Sequence, residues 1–144
     1  MKILVCGGRD FADVKPFDKD SKARKEHAFV QRTLMEIISK YSKYYDPNDN
    51  WLPTDIIIIT GDARGVDTSA YDFAVHNYCA YKGYPADWNK FGKRAGPIRN
   101  LQMLDEEKPD LVVAFPGGKG TEHMVKIARG RGIKVKEIKY NEGE

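Results

Sequence analysis

The residues Phe115-Pro116-Gly117-Gly118-Lys119-Gly120-Thr121 follow an apolar run and precede a helical pattern. A loop of this kind at a helix start leaves backbone amides without intrahelical partners, and the helix dipole there favours an anion. Glycine lets a phosphate reach the backbone, because no Cβ stands in the way. The pattern is not a P-loop, which needs Lys-Ser/Thr after its last glycine, and it lacks the spacing of the dinucleotide fingerprint. The competing reading is a plain glycine turn, yet three glycines and a threonine between positions 116 and 121 favour an anion cradle.

Two further loops share this character. Thr60-Gly61-Asp62-Ala63-Arg64-Gly65-Val66-Asp67-Thr68 offers Gly61 and Gly65 for tight turns, Asp67 as a cap for the next helix, and Asp62 or Arg64 to face a ligand. Gly7-Gly8-Arg9-Asp10-Phe11 directly follows the first apolar run, where open α/β sheets hold nucleotides. Gly96-Pro97-Ile98-Arg99-Asn100 opens another helix, with Pro97 in a first turn where its missing N–H does no harm. A first-turn cation opposes the helix dipole, so Arg99 reads as a bidentate clamp or a stabiliser of developing charge. The expected assignments follow. Gly117, Gly118, Gly120 and Thr121 hold phosphate, Gly8 and Arg9 contact ribose or phosphate, and Arg99 clamps. Gly7, Asp10, Gly61, Asp62, Arg64, Asn100 and Pro116 are the further ligand-binding candidates.

His27, His76 and His123 are scattered without the i, i+4 partner or carboxylate spacing of a metal site, so no metal and no resident cofactor is expected. Trp88, Tyr41, Tyr44 and Tyr45 have faces that can stack on bases, but core or interface packing is the more common use of such rings.

The loops must be carried by strands and helices. Ile3–Cys6, Ile56–Ile59 and Leu111–Phe115 are short, continuously apolar and rich in β-branched residues, which predicts central parallel strands covered on both faces. Ile133–Ile138 alternates apolar with polar and predicts an edge strand, and only Tyr81–Pro85 can supply a fifth. Spacings of three and four among Val30, Leu34, Ile37, Ile38, Tyr41 and Tyr45 predict a helix over Ser21–Tyr45, ended by the turn cluster Asp46-Pro47-Asn48-Asp49-Asn50. Further helices are expected over Val66–Tyr78, over Pro97–Glu107 with Ile98, Leu101 and Leu104 inward, and from Gly120 or Thr121 to the Arg129-Gly130-Arg131-Gly132 stop. Strands alternating with helices imply right-handed crossovers. The expected fold is one α/β Rossmann-like domain over residues 1–144, with a mainly parallel sheet of about five strands and helices on both faces.

A hydrophobic fraction of 41% and a charged fraction of 31% suit a globular protein, and no apolar run nears the roughly 20 residues of a membrane span. The opening apolar stretch is too short for a secretory signal, so a cytoplasmic location is expected. Cys6 and Cys79 have no partner at ligand spacing and are expected to be reduced and structural. A net charge of +3 with 21 acids is permissive for nucleic acid without pointing to it.

With these residues in view, the chain resembles the SLOG superfamily, and most closely its YspA branch, along nearly its whole length. The similarity is carried by Gly7-Gly8-Arg9-Asp10-Phe11, Thr60–Asp67, Ala86-Asp87-Trp88, Gly96-Pro97-Ile98-Arg99-Asn100 and Phe115–Thr121. The resemblance implies a Rossmann-like fold and association with nucleotide-derived ligands, often within phage or bacterial conflict systems. The ligand expected is ADP-ribose, an NAD derivative or a nucleoside monophosphate, held by a sensor or sequestering module. LOG-type phosphoribohydrolases, similar in their proline-glycine-glycine-any-glycine-threonine motif, cleave the N-glycosidic bond of nucleoside 5′-monophosphates with an arginine and a glutamate. Here Arg99 looks like the arginine, Met124 stands at the glutamate position, and Glu122 is the nearest acid, with Asp62 and Asp10 as other substitutes. N-glycosidic hydrolysis by Arg99 and Glu122 is therefore the alternative activity. The DNA-processing protein A family is similar around Gly61–Asp67 and binds single-stranded DNA, a third reading that the near-balanced charge weakens. LOG relatives also pair, so a homodimer or higher homo-oligomer is expected, with the apolar, aromatic helix Phe29–Tyr45 as a partner surface.

Overall fold

The computed structural model describes residues 1–17, 19, 21–48 and 51–141. Five strands form one parallel sheet: β1 (Lys2–Cys6), β2 (Ile57–Thr60), β3 (Ala80–Gly83), β4 (Leu111–Ala114) and β5 (Lys134–Glu137). Their spatial order is β3-β2-β1-β4-β5, and every neighbouring pair is parallel. The helices are α1 (Ser21–Tyr41), α2 (Val66–His76), the short α3 (Trp88–Phe91), α4 (Ala95–Glu107) and α5 (Lys119–Gly130).

Alternation along β1 explains the two layers. Ile3 and Val5 point into a core with Val30, Leu34 and Ile38 of α1 and with Ala70 and Phe73 of α2. Leu4 points the other way, into a core with Met103 and Leu104 of α4 and with Met124 and Ala128 of α5. A sheet whose inner strands are buried on both faces needs apolar residues at both parities, which is why β1, β2 and β4 are continuous rather than alternating. Strands β3 and β5 lie at the edges, as the alternating pattern of the last strand requires.

The chain leaves β1 towards β2 and β3, and then returns to place β4 on the opposite side of β1. That reversal is a topological switch point, and the loops after β1, β2 and β4 all leave the carboxyl edge of the sheet.

Several element boundaries and faces differ from the sequence reading. Helix α1 ends at Tyr41 instead of Tyr45, because Asp55 captures the chain beyond it, accepting from the Ser42 hydroxyl at 2.9 Å and the Lys43 amide at 2.8 Å. In the turn that follows, the Asn48 amide donates to Asp46 at 2.8 Å, while Asp49 and Asn50 lie outside the described residues. Strand β3 begins one residue early, at Ala80, and the Tyr84 amide still donates to the Thr60 carbonyl beyond its end. Helix α4 starts at Ala95, led in by α3 and a 3-10 turn at Gly92–Arg94. Leu104 is buried as expected, but Ile98 and Leu101 are 37% and 38% exposed, and Asn100 and Met103 share the inward stripe with Leu104 instead. Apolar spacing misread this face because Asn100, a polar residue, is buried by pairing with α5. Gly132, at φ 72°, supplies the left-handed stop expected after α5. Among the described residues, no helix is long and apolar enough to cross a membrane.

At the end of α4, buried Glu107 accepts from the Tyr84 hydroxyl and pairs with Lys2 at 3.2 Å and Lys82 at 3.1 Å. The Tyr84 hydroxyl first, and then the two lysines, hold the Glu107 carboxyl below its usual range against the opposing effect of burial. A carboxyl depressed in the folded state stabilises above the unfolded-state pKa and loses that contribution as pH falls through the folded one. Because both lysines are partly solvated, Glu107→Gln is expected to cost about 1–2 kcal/mol at neutral pH. The difference from the parent should shrink as the medium becomes acidic, as read by denaturant unfolding across pH.

Candidate ligand-binding cleft

The loops after β1, β2 and β4 are joined by backbone contacts. The Gly8 amide donates to the Pro116 carbonyl at 2.8 Å, and the Val66 amide donates to the Gly8 carbonyl at 3.2 Å. Gly65 sits at φ 81° so close to the first loop that a Cβ there would lie 2.4 Å from the Gly8 oxygen. At Gly117 a Cβ would lie 2.2 Å from Thr121 Oγ1 and 2.7 Å from the Gly8 nitrogen. Close approach of the loops thus demands glycine at both places.

Gly118 is the N-cap of α5 and provides no side-chain cap. The Glu122 amide closes the first helical bond, to the Gly118 carbonyl at 3.0 Å, and the amides of Lys119, Gly120 and Thr121 have no acceptor among the described residues. A Cβ at Gly118 or Gly120 would meet nothing within 4 Å. These amides border a cleft of about 850 Å³, whose walls include Gly7 to Phe11, Gly61, Ala63, Asp67, Trp88, Arg99, Asn100 and Pro116 to Thr121.

The floor is polar and held in place. Arg99 Nη1 donates to the Gly61 carbonyl at 2.6 Å and the Tyr84 carbonyl at 3.3 Å, and its Nε donates to Asn100 Oδ1 at 3.1 Å. Asn100 Nδ2 in turn donates to the Gly120 carbonyl at 3.2 Å and lies 3.1 Å from His123 Nδ1. One chain of contacts therefore links the β2 loop, α4 and the start of α5. Burial lowers the Arg99 pKa, an effect opposed by the charge of Asp67. Asp67 does not cap α2 as expected: the N-cap is Gly65, and Asp67 Oδ2 turns back to accept from the Ala63 amide at 3.2 Å. Burial raises the Asp67 carboxyl to about 6, although the Ala63 amide and Arg99 pull it down. Burial also raises both free thiols, Cys79 to about 12 and Cys6 further, so neither is a thiolate at neutral pH.

The sequence profile of the YspA, cpYpsA-related SLOG family matches residues 1–91 of the chain. The chain belongs to this family. The Gene 61 protein of Mycobacterium phage D29 is 34% identical over 92 residues, covering 58% of this chain and 71% of the phage protein. No solved structure matches. Membership of the SLOG family associates the chain with nucleotide-related binding or processing.

The SLOG profile covers the first two loops and Trp88, while Arg99, Asn100 and the Pro116–Thr121 loop lie beyond it. The fold nevertheless brings these later residues to the same cleft as Gly7, Gly8, Arg9, Asp10 and Gly61. Three sequence candidates stand apart. Arg64 is exposed and pairs with Asp10 at 2.7 Å and Asp13 at 3.0 Å. Asp62 accepts from the Tyr81 hydroxyl at 2.8 Å and does not line the cleft. Glu122 is exposed on α5, also outside the lining. Sequence reasoning missed Glu26, which is only 5% exposed, lines the cleft and accepts from the Ala12 amide at 3.1 Å. Its signal was available, since an acid four residues before Val30 falls on the apolar stripe of α1. Trp88, expected to pack in a core or interface, lies outside the core, half exposed at the cleft wall.

The raised Asp67 carboxyl has a definite sign for stability. A group that holds its proton longer in the folded state contributes below its unfolded pKa of 3.8 and loses that contribution as pH rises through about 6. Relative to Asp67→Asn, the parent is expected to lose on the order of 1–3 kcal/mol of unfolding free energy between about pH 4 and about pH 7. Denaturant titrations of both proteins across that range measure it, and a difference that does not vary with pH contradicts the assignment.

Proposed function

We propose that this chain binds a nucleotide or nucleotide-derived ligand, such as ADP-ribose, an NAD derivative or a nucleoside monophosphate, as a sensor or sequestering module. The observation that carries the reading is the set of acceptor-free amides of Lys119, Gly120 and Thr121, beside the open space at Gly118 and Gly120. A helix dipole, free donors and room for a tetrahedral anion together suit a phosphate. Gly8 and Arg9 border the same space on the β1 side and are the groups to meet ribose or a second phosphate. Arg99 spends Nη1 on two carbonyls, while Nη2 makes no hydrogen bond among the described residues, which leaves a pre-oriented cationic edge for the ligand. Anchoring the guanidinium in advance lowers the ordering cost of binding.

The test is a thermal-shift comparison. A nucleotide at about 100 times its Kd is expected to stabilise the parent by about 2.7 kcal/mol. Gly118→Asp has room for its side chain and places a carboxylate where it caps α5, so the fold is kept and phosphate is repelled from the occupied amides. Loss of the nucleotide-induced shift in this variant supports the reading, and an undiminished shift ends it.

Buried Glu26 favours one second reading, N-glycosidic hydrolysis of a nucleoside 5′-monophosphate. Water would add to C1′ as the C1′–N bond breaks and the base leaves with a proton, with a carboxylate activating the water or balancing the oxocarbenium charge. Glu26 is a carboxylate of the cleft wall, alongside Asp10 and Asp67, whereas Glu122 is exposed outside the lining. If this reading holds, release of free base is expected to fall about 100-fold or more in Glu26→Gln and in Arg99→Ala. It should persist in Glu122→Gln, and chromatography of the products decides.

A further inference from the structure

Trp88 is the most exposed of the aromatic side chains that line the cleft. It is 46% exposed, an unusual position for an indole that packing alone would bury. Its setting is fixed on one side: Cη2 lies 3.4 Å from where a Cβ of Gly96 would stand, so the ring edge rests on the start of α4. Asp87 caps α3 by accepting from the Lys90 amide at 3.1 Å, which holds the turn that carries the indole. Over the ring lies the Arg9 guanidinium, its central carbon 4.8 Å from the ring centroid. The indole ring is therefore flat, placed at the cleft wall and already covered by a cation at cation–π distance. Arg9 comes from the loop that borders the phosphate cradle, so the stack and the cradle share one cleft.

We propose that the Trp88 ring is the platform for the aromatic base of the nucleotide, and that the Arg9 guanidinium gives up its place over the ring when the base enters. The proposal rests on the phosphate seat at the start of α5 and adds the second half of the ligand. Stacked groups need about 3.5 Å per layer, so no base fits between Arg9 and the ring as they stand. The base takes the place of the guanidinium, which then turns towards the phosphate. Base stacking is tolerant of base identity, and a purine covers more of the indole than a pyrimidine does.

The experiment uses adenosine 5′-monophosphate, ribose 5-phosphate and adenosine as probes. Trp51 and Trp88 are the only tryptophans, so Trp51→Phe leaves Trp88 as the sole indole reporter. In this background adenosine 5′-monophosphate should quench the fluorescence, and ribose 5-phosphate should bind, by calorimetry, without quenching. The nucleotide should bind roughly tenfold more tightly than the sugar phosphate, an advantage of the size expected for one stacked base. Trp88→Ala should remove that advantage and Trp88→Phe should restore part of it. Arg9→Ala should raise the affinity for adenosine, because the platform is cleared. An advantage for the nucleotide that survives Trp88→Ala, or binding of all three probes without quenching, overturns the platform while leaving the phosphate seat standing. Quenching by adenosine with no binding of ribose 5-phosphate removes the seat instead.

Discussion

Reversal of strand order at β1 creates the constraint on which the rest of the structure depends. Because β4 joins β1 on the side opposite to β2, the loops after β1 and β4 leave the sheet side by side while the chain runs on in different directions. The hydrogen bond from the Gly8 amide to the Pro116 carbonyl, 2.8 Å long, ties them together just where the sheet ends. Gly65 and Gly117 serve the same closure, since a Cβ at either would drive the loops apart. The amides at the start of α5 are aimed by this arrangement, not by the glycines alone.

Beneath the loops, a partly buried polar chain does what an apolar floor cannot. Arg99, Asn100 and the Gly120 carbonyl form a sequence of directional contacts across α4 and α5, and each fixes the orientation of the next. Burying a guanidinium is costly unless its donors are used, and two backbone carbonyls meet that need on one edge. Asp67 sits close enough for its charge to offset part of the burial of Arg99, and is itself burdened by burial. Charge inside the cleft is therefore shared among neighbours instead of being solvated, which suits a ligand that brings its own charge and sheds water on entry.

The cleft also combines different chemistries. Its lining holds the start of α5 with its backbone donors, the Arg99 guanidinium, and the Trp88 indole with Arg9 above it. Glu26 supplies an acceptor from the α1 side. Backbone donors, an acceptor and an aromatic ring in one cleft are the groups that the proposed phosphate, sugar and base would need. This agrees with the nucleotide-related role associated with the SLOG family.

Local information determined much of this protein. Continuous β-branched runs marked β1, β2 and β4 as buried strands, alternation marked β5 as an edge, and glycine-rich loops at strand ends named most of the cleft. These are properties that near neighbours in the chain impose through sterics and periodicity. Tertiary structure decided the rest. Asp55 cut α1 short from a distance, a buried amide at Asn100 turned the face of α4, and Arg64 and Glu122 were directed away from the cleft. Glu26, by contrast, entered from a helix that no loop motif flagged, and Trp88, part of the Ala86-Asp87-Trp88 motif, entered where packing was the expectation. Which side chains share a cavity depends on contacts between residues far apart in sequence, and no local period or turn propensity encodes those distances.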